Sequence, residues 1–268
     1  MPQSLPNALG AWREIEGRLR GKRVALFLDY DGTLTPIVRR PELAVLSAEM
    51  RSALEAVGPA CPTAIVSGRA LEDVTRRVAL PQLVYAGSHG FDIAGPDGLR
   101  LEVARESSAA LRDAAAELRR RTAGIPGVIV EEKRLSVALH DRQVAPAARA
   151  RVEASFRAVL EGSSDLRPSE GKRVLELRPA VEWDKGSAVV WILQARGLAG
   201  PDVLPIYIGD DVTDQDAFRA LAGRGVAIQV ASVPWSADAE YTLADVAEVR
   251  HFLLRLAAVA AGEPARPA

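Results

Sequence analysis

Short apolar runs recur along the chain, and most of them stop at a polar cluster. Residues 24–29 read VALFLD, unbroken by a polar side chain until the final acid. A strand that is apolar at successive positions is buried on both faces, as in a parallel sheet. Similar runs return at 63–67 (TAIVS), 83–86 (LVYA), 205–208 (PIYI) and 226–230 (VAIQV). Helical spacing fills the gaps: SAEMRSALEAV, ALEDVTRRVA, GSAVVWILQARG and DQDAFRALAG. Strands alternating with helices predict a doubly wound, mostly parallel α/β sheet. Ligands of such sheets bind outside the carboxyl ends of the strands. Here those ends carry LDYDGT, VSGR, AGSHG and IGDDVTD.

The middle third has another rhythm. Residues 104–123 spell an Ala- and Arg-rich helix, and VIVEEK and LSVALHD follow as a hairpin. PAARARVEASFRAVLEG makes a second helix, then DLRPSE and RVLELRP pair, with Gly171 and Lys172 at the turn between them. This αββαββ order, with strands apolar on one face, predicts an α+β domain at 101–181 inserted into a core formed by 1–100 plus 182–268. The segments 94–98 and 179–184 are the expected hinges.

Composition narrows the picture. At 268 residues the chain can hold a core domain and a smaller insertion. A 48% hydrophobic and 26% charged make-up is that of a globular protein, and a net charge of −1 calls for neither nucleic acid nor an anionic membrane as partner. The lone Cys61 excludes an intramolecular disulfide, fits a cytoplasmic location, and reads as a small buried hydrophobe beside an apolar strand. No stretch approaches the roughly 20 apolar residues of a membrane span. HFLLRLAAVAA reads as a packed helix and GEPARPA as a frayed tail. The oligomeric state is not legible.

The chemistry begins at LDYDGTLTP. Asp29 and Asp31 stand at the end of a buried strand with one residue between them. Their repulsion is costly unless a cation or hydrogen bonds compensate. Mg²⁺ would do so, because it takes oxygen ligands and keeps water in its shell. The alternative is a helix cap or a turn, since Asp-Gly is a strong turn signal.

DYDGTLTP resembles the first motif of the haloacid dehalogenase superfamily. The resemblance implies that Asp29 is a nucleophile forming an aspartyl-phosphate, and that Asp31 is the general acid and base. It implies that Ser67 and Gly68 of IVSGR bind phosphate, that Lys185 of WDKGSA neutralises nucleophile and phosphate, and that Asp210 of IGDDVTDQD completes a Mg²⁺ site with Asp29 and Asp31. Asp211 and Asp214 then support that site from behind. A lone lysine is ordinarily a solvated surface residue; four motifs in order, each at a strand end or helix start, are not ordinary. Within the superfamily the chain resembles trehalose-6-phosphate phosphatases, through FLDYDGTLTPIV, through AGSHG, and through VEEK, LSVALHDR and GKRVLELRP in the insertion. That similarity spans about residues 20–255. It implies that Gly87, Ser88 and His89 line the substrate site and that Glu131, Lys133 and Glu176 hold sugar hydroxyls. Where relatives commonly read GDDxTDE, this chain has Gln215 and then Asp216.

Spacing alone is less decisive for the insertion. In RVLELRP, Leu175 and Leu177 face one side, and Val174, Glu176 and Arg178, with Lys172 of the same parity, face the other. Such a strand is ordinarily half-core and half-solvated. His89 reads either as a strand-end residue or as part of the site. His140 faces the non-core side of its strand and receives no role. The expected substrate is a small sugar phosphate. The alternatives are an enzyme of the sucrose-phosphate or mannosyl-phosphoglycerate type and a silent sugar-phosphate sensor.

Overall fold

The computed structural model describes residues 5–171 and 174–260. Lys172, assigned above to a turn, and the expected tail GEPARPA lie outside the described residues. The chain divides into two compact units: Met1–Leu101 with Trp183–Ala268, and Glu102–Glu182.

The first unit begins with α1 (Trp12–Leu19), β1 (Arg23–Leu28), α2 (Ala48–Val57), β2 (Thr63–Val66), α3 (Leu71–Val78), β3 (Val84–Gly87), β4 (Asp92–Ala94) and β5 (Arg100–Glu102). The second unit contains α4 (Ser108–Thr122), β6 (Ile129–Lys133), β7 (Ser136–His140), α5 (Arg149–Glu161), β8 (Leu166–Gly171) and β9 (Val174–Pro179). The chain then returns to the first unit with α6 (Lys185–Ala195), β10 (Val203–Gly209), α7 (Gln215–Leu221), β11 (Val226–Val230), β12 (Tyr241–Leu243) and α8 (Val246–Ala260).

An eight-stranded sheet in the order β12-β11-β10-β1-β2-β3-β4-β5 forms the first unit. It is parallel from β12 to β3, and β4 turns back antiparallel to β3. Alternation along β1 explains why both faces need helices. Leu26 and Leu28 pack with Ile15 of α1, Leu54 of α2 and Phe252 of α8, whereas Ala25 and Phe27 pack with Val189 and Ile192 of α6 and Phe218 of α7. The strand order reverses between β1 and β10, so the carboxyl ends of these two strands lie at the switch point. Leu28 is in register with Ile208, and the Asp29 amide donates to the Ile208 carbonyl at 2.9 Å. The residues that follow, Asp29 and Asp210, are thereby placed side by side.

The five expected core strands are present, extended here or shortened there by a residue or two. α1, β4, β5 and β12 were not expected. The three last are three residues each, too short to show a period, and α1 carries Gly17 and only three buried side chains, Trp12, Ile15 and Leu19.

In the second unit an antiparallel sheet, β6-β7-β9-β8, packs one face on α4 and α5 through Leu111, Leu118, Val137, Leu139, Phe156 and Leu177. The other face aligns Glu131, Ala138, Glu176 and Ser169 in one row across the four strands. Ala138 is the small residue between the two glutamates, which stand two strands, about 10 Å, apart.

Candidate active site

The first-motif turn is tight. The Gly32 amide donates to the Thr35 carbonyl at 2.7 Å, and the Leu34 amide to that of Tyr30 at 2.9 Å. Gly32 has φ +86°, and a Cβ there would collide with the Asp210 carboxylate. Glycine is thus needed both for the backbone and for the approach of the two acid-bearing loops.

Lys185 is the first residue of α6, whose N-cap Asp184 accepts from the Ser187 amide at 2.7 Å. Its ammonium is buried and donates to Asp29 Oδ1 at 2.9 Å and to Asp214 Oδ1 at 2.6 Å. Asp214 is fully buried and also accepts from the Tyr207 hydroxyl at 2.7 Å and the Asp211 amide at 2.9 Å. Asp29, Asp210 and Asp214 each offer an oxygen within 4.8 Å of the others. Three carboxylates around one ammonium leave excess negative charge. Burial, followed by the facing Asp214 and Asp210 charges, holds the Asp29 carboxyl far above the ordinary carboxylate range although Lys185 opposes this. Burial and then the Asp214 charge push Asp210 up to about 7. Burial alone would lower Lys185, but Asp214 and Asp29 outweigh it and its proton is held more tightly than usual.

These residues fit a hard divalent cation. The donors are all oxygens, their charge is under-compensated, and Asp210 Oδ1 is buried with no hydrogen-bond partner among the described residues. Asp214 spends its oxygens on Lys185, Tyr207 and Asp211, which leaves Asp29 and Asp210 as the side chains with oxygen to offer. The expected third carboxylate, Asp31, is not one of the clustered trio. Both of its oxygens accept from Arg69, Oδ2 from Nε at 2.7 Å and Oδ1 from Nη2 at 2.6 Å. Asp211 is exposed and caps the short turn Val212–Asp214 that leads into α7.

The second-motif segment folds against the end of β3. Ser67 is buried, its hydroxyl accepts from the Arg69 amide at 3.2 Å, and its carbonyl accepts from the His89 amide at 2.9 Å. The Ser88 amide donates to the Arg69 carbonyl at 2.6 Å. Ser88 and His89 both have positive φ, +50° and +58°, a conformation rare outside glycine and concentrated at functional sites. A Cβ on Gly68 would press on the His89 ring at 2.7 Å, and one on Gly87 would collide with the Leu71 backbone. The structure therefore brings Ser67, Gly68, Gly87, Ser88 and His89 into one pair of interlocked loops.

Glu131, Lys133 and Glu176 share the polar face of the other unit's sheet. Glu176 is 6% exposed, far from the solvated position that strand alternation suggests. Ser136 Oγ donates to its Oε1 at 2.7 Å, Lys133 lies 3.5 Å from the same oxygen, and Arg178 donates to Oε2 from Nε at 2.8 Å and Nη2 at 2.6 Å. Glu131 pairs with His140 Nε2 at 2.9 Å, and this hydrogen bond lowers the Glu131 carboxyl.

Sequence reasoning passed over Arg69, Tyr207, Ser136 and the anchoring use of Arg178. Tyr207 had a signal: a phenol inside an otherwise apolar buried strand must find a partner. Arg69 had a weaker one, Asp73 four residues on in the first turn of α3.

The comparisons with known proteins point one way. Residues 27–247 match the trehalose-phosphatase family. The chain belongs to that family. It is accordingly a phosphoric monoester hydrolase with the haloacid dehalogenase fold. It is 43% identical over 270 residues to the rice (Oryza sativa subsp. japonica) probable trehalose-phosphate phosphatase 3, covering 94% of this chain and 74% of the relative. It is 42% identical over 269 residues to the maize (Zea mays) trehalose 6-phosphate phosphatase RA3, with the same two coverages. Among solved structures, an Aspergillus fumigatus trehalose-6-phosphate phosphatase is 28% identical with a TM-score of 0.67, covering 92% of this chain and 97% of that one. A Bacteroides thetaiotaomicron phosphatase of the HAD enzyme superfamily shares the fold at 16% identity, with a TM-score of 0.62 over 88% of this chain and 94% of that one.

Proposed function

We propose that this trehalose-phosphatase family member hydrolyses trehalose 6-phosphate to trehalose and phosphate, with Asp29 as nucleophile. The observation that carries the reading is the buried Asp29–Lys185–Asp214 contact beside Asp210, at the carboxyl ends of β1 and β10. Asp29 Oδ forms a bond to phosphorus while the bond from phosphorus to the sugar oxygen breaks. Asp31 gives its proton to that departing oxygen. Water then attacks the aspartyl-phosphate, Asp31 takes the proton back, and Asp29 and phosphate separate. Lys185 stays protonated throughout and offsets charge on the nucleophile and the transferred group. Ser67 and Gly68 hold phosphate oxygens, and the loop of Gly87, Ser88 and His89 lines the substrate. Asp29 and Asp210 would hold Mg²⁺, which when bound supplies the charge that lets two anionic groups approach.

The unit Glu102–Glu182 acts as the specificity cap. Glu131, Lys133 and Glu176 offer charge-assisted hydrogen bonds, which suit a disaccharide rich in hydroxyls. Arg178 and Ser136 hold Glu176 ready. A cytoplasmic location belongs to the same proposal; among the described residues no helix is long and apolar enough to cross a membrane.

The test is phosphate release from trehalose 6-phosphate, sucrose phosphate, mannosyl-phosphoglycerate and glucose 6-phosphate, each with Mg²⁺ and with EDTA. A preference for trehalose 6-phosphate that EDTA abolishes is expected. Preference for another ester would overturn the substrate, and no release from any of them would leave a sensor.

A further inference from the structure

The geometry points to Arg69 as a positioning residue that holds Asp31 apart from the acidic cluster in the one orientation useful for proton transfer. Four observations meet at this side chain. Its Nε and Nη2 grip both oxygens of Asp31 at 2.7 and 2.6 Å. Nη2 also donates to the Pro41 carbonyl at 2.8 Å, and Nη1 to Asp73 Oδ2 at 2.8 Å. The guanidinium carbon lies 5.3 Å from the centre of the Tyr30 ring, which is itself fully buried. Only 9% of the Arg69 side chain is exposed, against 37% of Asp31.

These contacts distinguish holding from binding. A guanidinium that binds substrate phosphate keeps donors open for it. Arg69 directs four of its five N–H groups into the protein, with an aromatic face beneath it. Its fork matches a carboxylate in two parallel hydrogen bonds, which fixes the carboxylate plane as a single bond cannot. Each Asp31 oxygen keeps a lone pair outside that fork, and the exposed third of the side chain is where a substrate oxygen can reach it. The same grip removes Asp31 from the carboxylates that crowd Lys185. The site is thus divided: Asp29 and Asp210 with cation and nucleophile, Asp31 with the proton. Arg69 neither gives nor takes that proton.

This assignment rests on Asp31 being the acid and base proposed above, and the test separates the two. The first step is measured for two esters in a rapid-mixing apparatus. Trehalose 6-phosphate releases an alkoxide that needs a proton, and p-nitrophenyl phosphate releases a stable anion that does not. Asp31→Asn should slow the first step on the sugar ester by about 10²-fold or more, and by a much larger factor than it slows the p-nitrophenolate burst. Arg69→Gln should reproduce that selectivity, with a loss of about tenfold or more on the sugar ester alone. Arg69→Lys, which keeps the charge without the fork, should fall between. The burst amplitude counts folded active sites. Should Arg69→Gln show no burst, Arg69→Lys decides by the same ratio. Parallel losses on both esters, or an unchanged ratio in the deciding Arg69 variant, would overturn the positioning role while Asp31→Asn still behaved as expected. Loss of selectivity in Asp31→Asn itself would sink the acid–base reading, and the role of Arg69 with it.

Discussion

Asp210 makes the folded protein sensitive to pH in a direction opposite to that of a paired surface acid. Burial, and then the neighbouring Asp214 charge, raise its carboxyl from 3.8 to about 7. A group whose folded value lies above its unfolded value stabilises the fold below the unfolded value. That contribution disappears as pH rises through the folded one. In full this displacement corresponds to about 4 kcal/mol. Between pH 5 and pH 7 linkage gives about 2 kcal/mol of this, and because solvent reaches part of the side chain, screening brings the expected loss to about 1 kcal/mol. For a chain of this length that is a fall of about 2–4 °C in melting temperature. The assay is thermal unfolding in EDTA across this range, for wild type and Asp210→Asn. The variant lacks the titrating group, so it should melt above wild type at pH 7, with the gap narrowing towards pH 5. Excess Mg²⁺ should raise the wild-type melting temperature at pH 7 and leave Asp210→Asn nearly unmoved, because a ligand stabilises only the state that binds it. A gap that does not change with pH, or an Asp210→Asn protein less stable than wild type at pH 7, would refute the electrostatic account of the cluster.

Other substitutions test neighbouring parts of the site. Asp29→Asn should abolish phosphate release and leave the far-ultraviolet circular dichroism spectrum unchanged; substantial residual turnover would remove this nucleophile from the mechanism. Gly32→Ala forces a Cβ into the Asp210 carboxylate at a φ of +86°, so activity should fall by about 10²-fold through misplacement of two acids; wild-type activity would show that the turn yields more easily than its geometry implies. Glu176→Ala should lower kcat/KM for trehalose 6-phosphate by about tenfold to a hundredfold, the worth of a charge-assisted hydrogen bond, with little effect on p-nitrophenyl phosphate; equal losses on both would argue against a sugar-holding role.

Strand and helix identities in the core were open to reading because the buried strands of a parallel sheet are apolar at most positions on both faces. Asp29, Lys185 and Asp210 were open to reading for a related reason. A charged residue directly after such a run, or at the first position of a helix, has few other uses. The short edge strands β4, β5 and β12 left no period to detect. Glu176 looked solvated, because alternation along β9 assigns a face without saying what covers it. Only the neighbouring strands, with Ser136 on β7 and Arg178 beside it, show that the carboxylate is enclosed.

The partners of Asp31 mark the same boundary more sharply. Two aspartates separated by one residue read as a pair serving one cation, and the order of residues offers nothing against that. Tertiary structure adds a partner that residue order does not show, since β2 runs beside β1 and carries Arg69 to Asp31 across 38 positions of chain. Asp214 comes under Lys185 and Tyr207 in the same way, through the pairing of β10 with β1 and the packing of α6 on α7. Residue order determined which chemical groups stand at the ends of the strands, because hydrophobic periodicity is local. Which carboxylate faces which cation is set by strand order and side-chain direction, and those exist only once distant segments have packed.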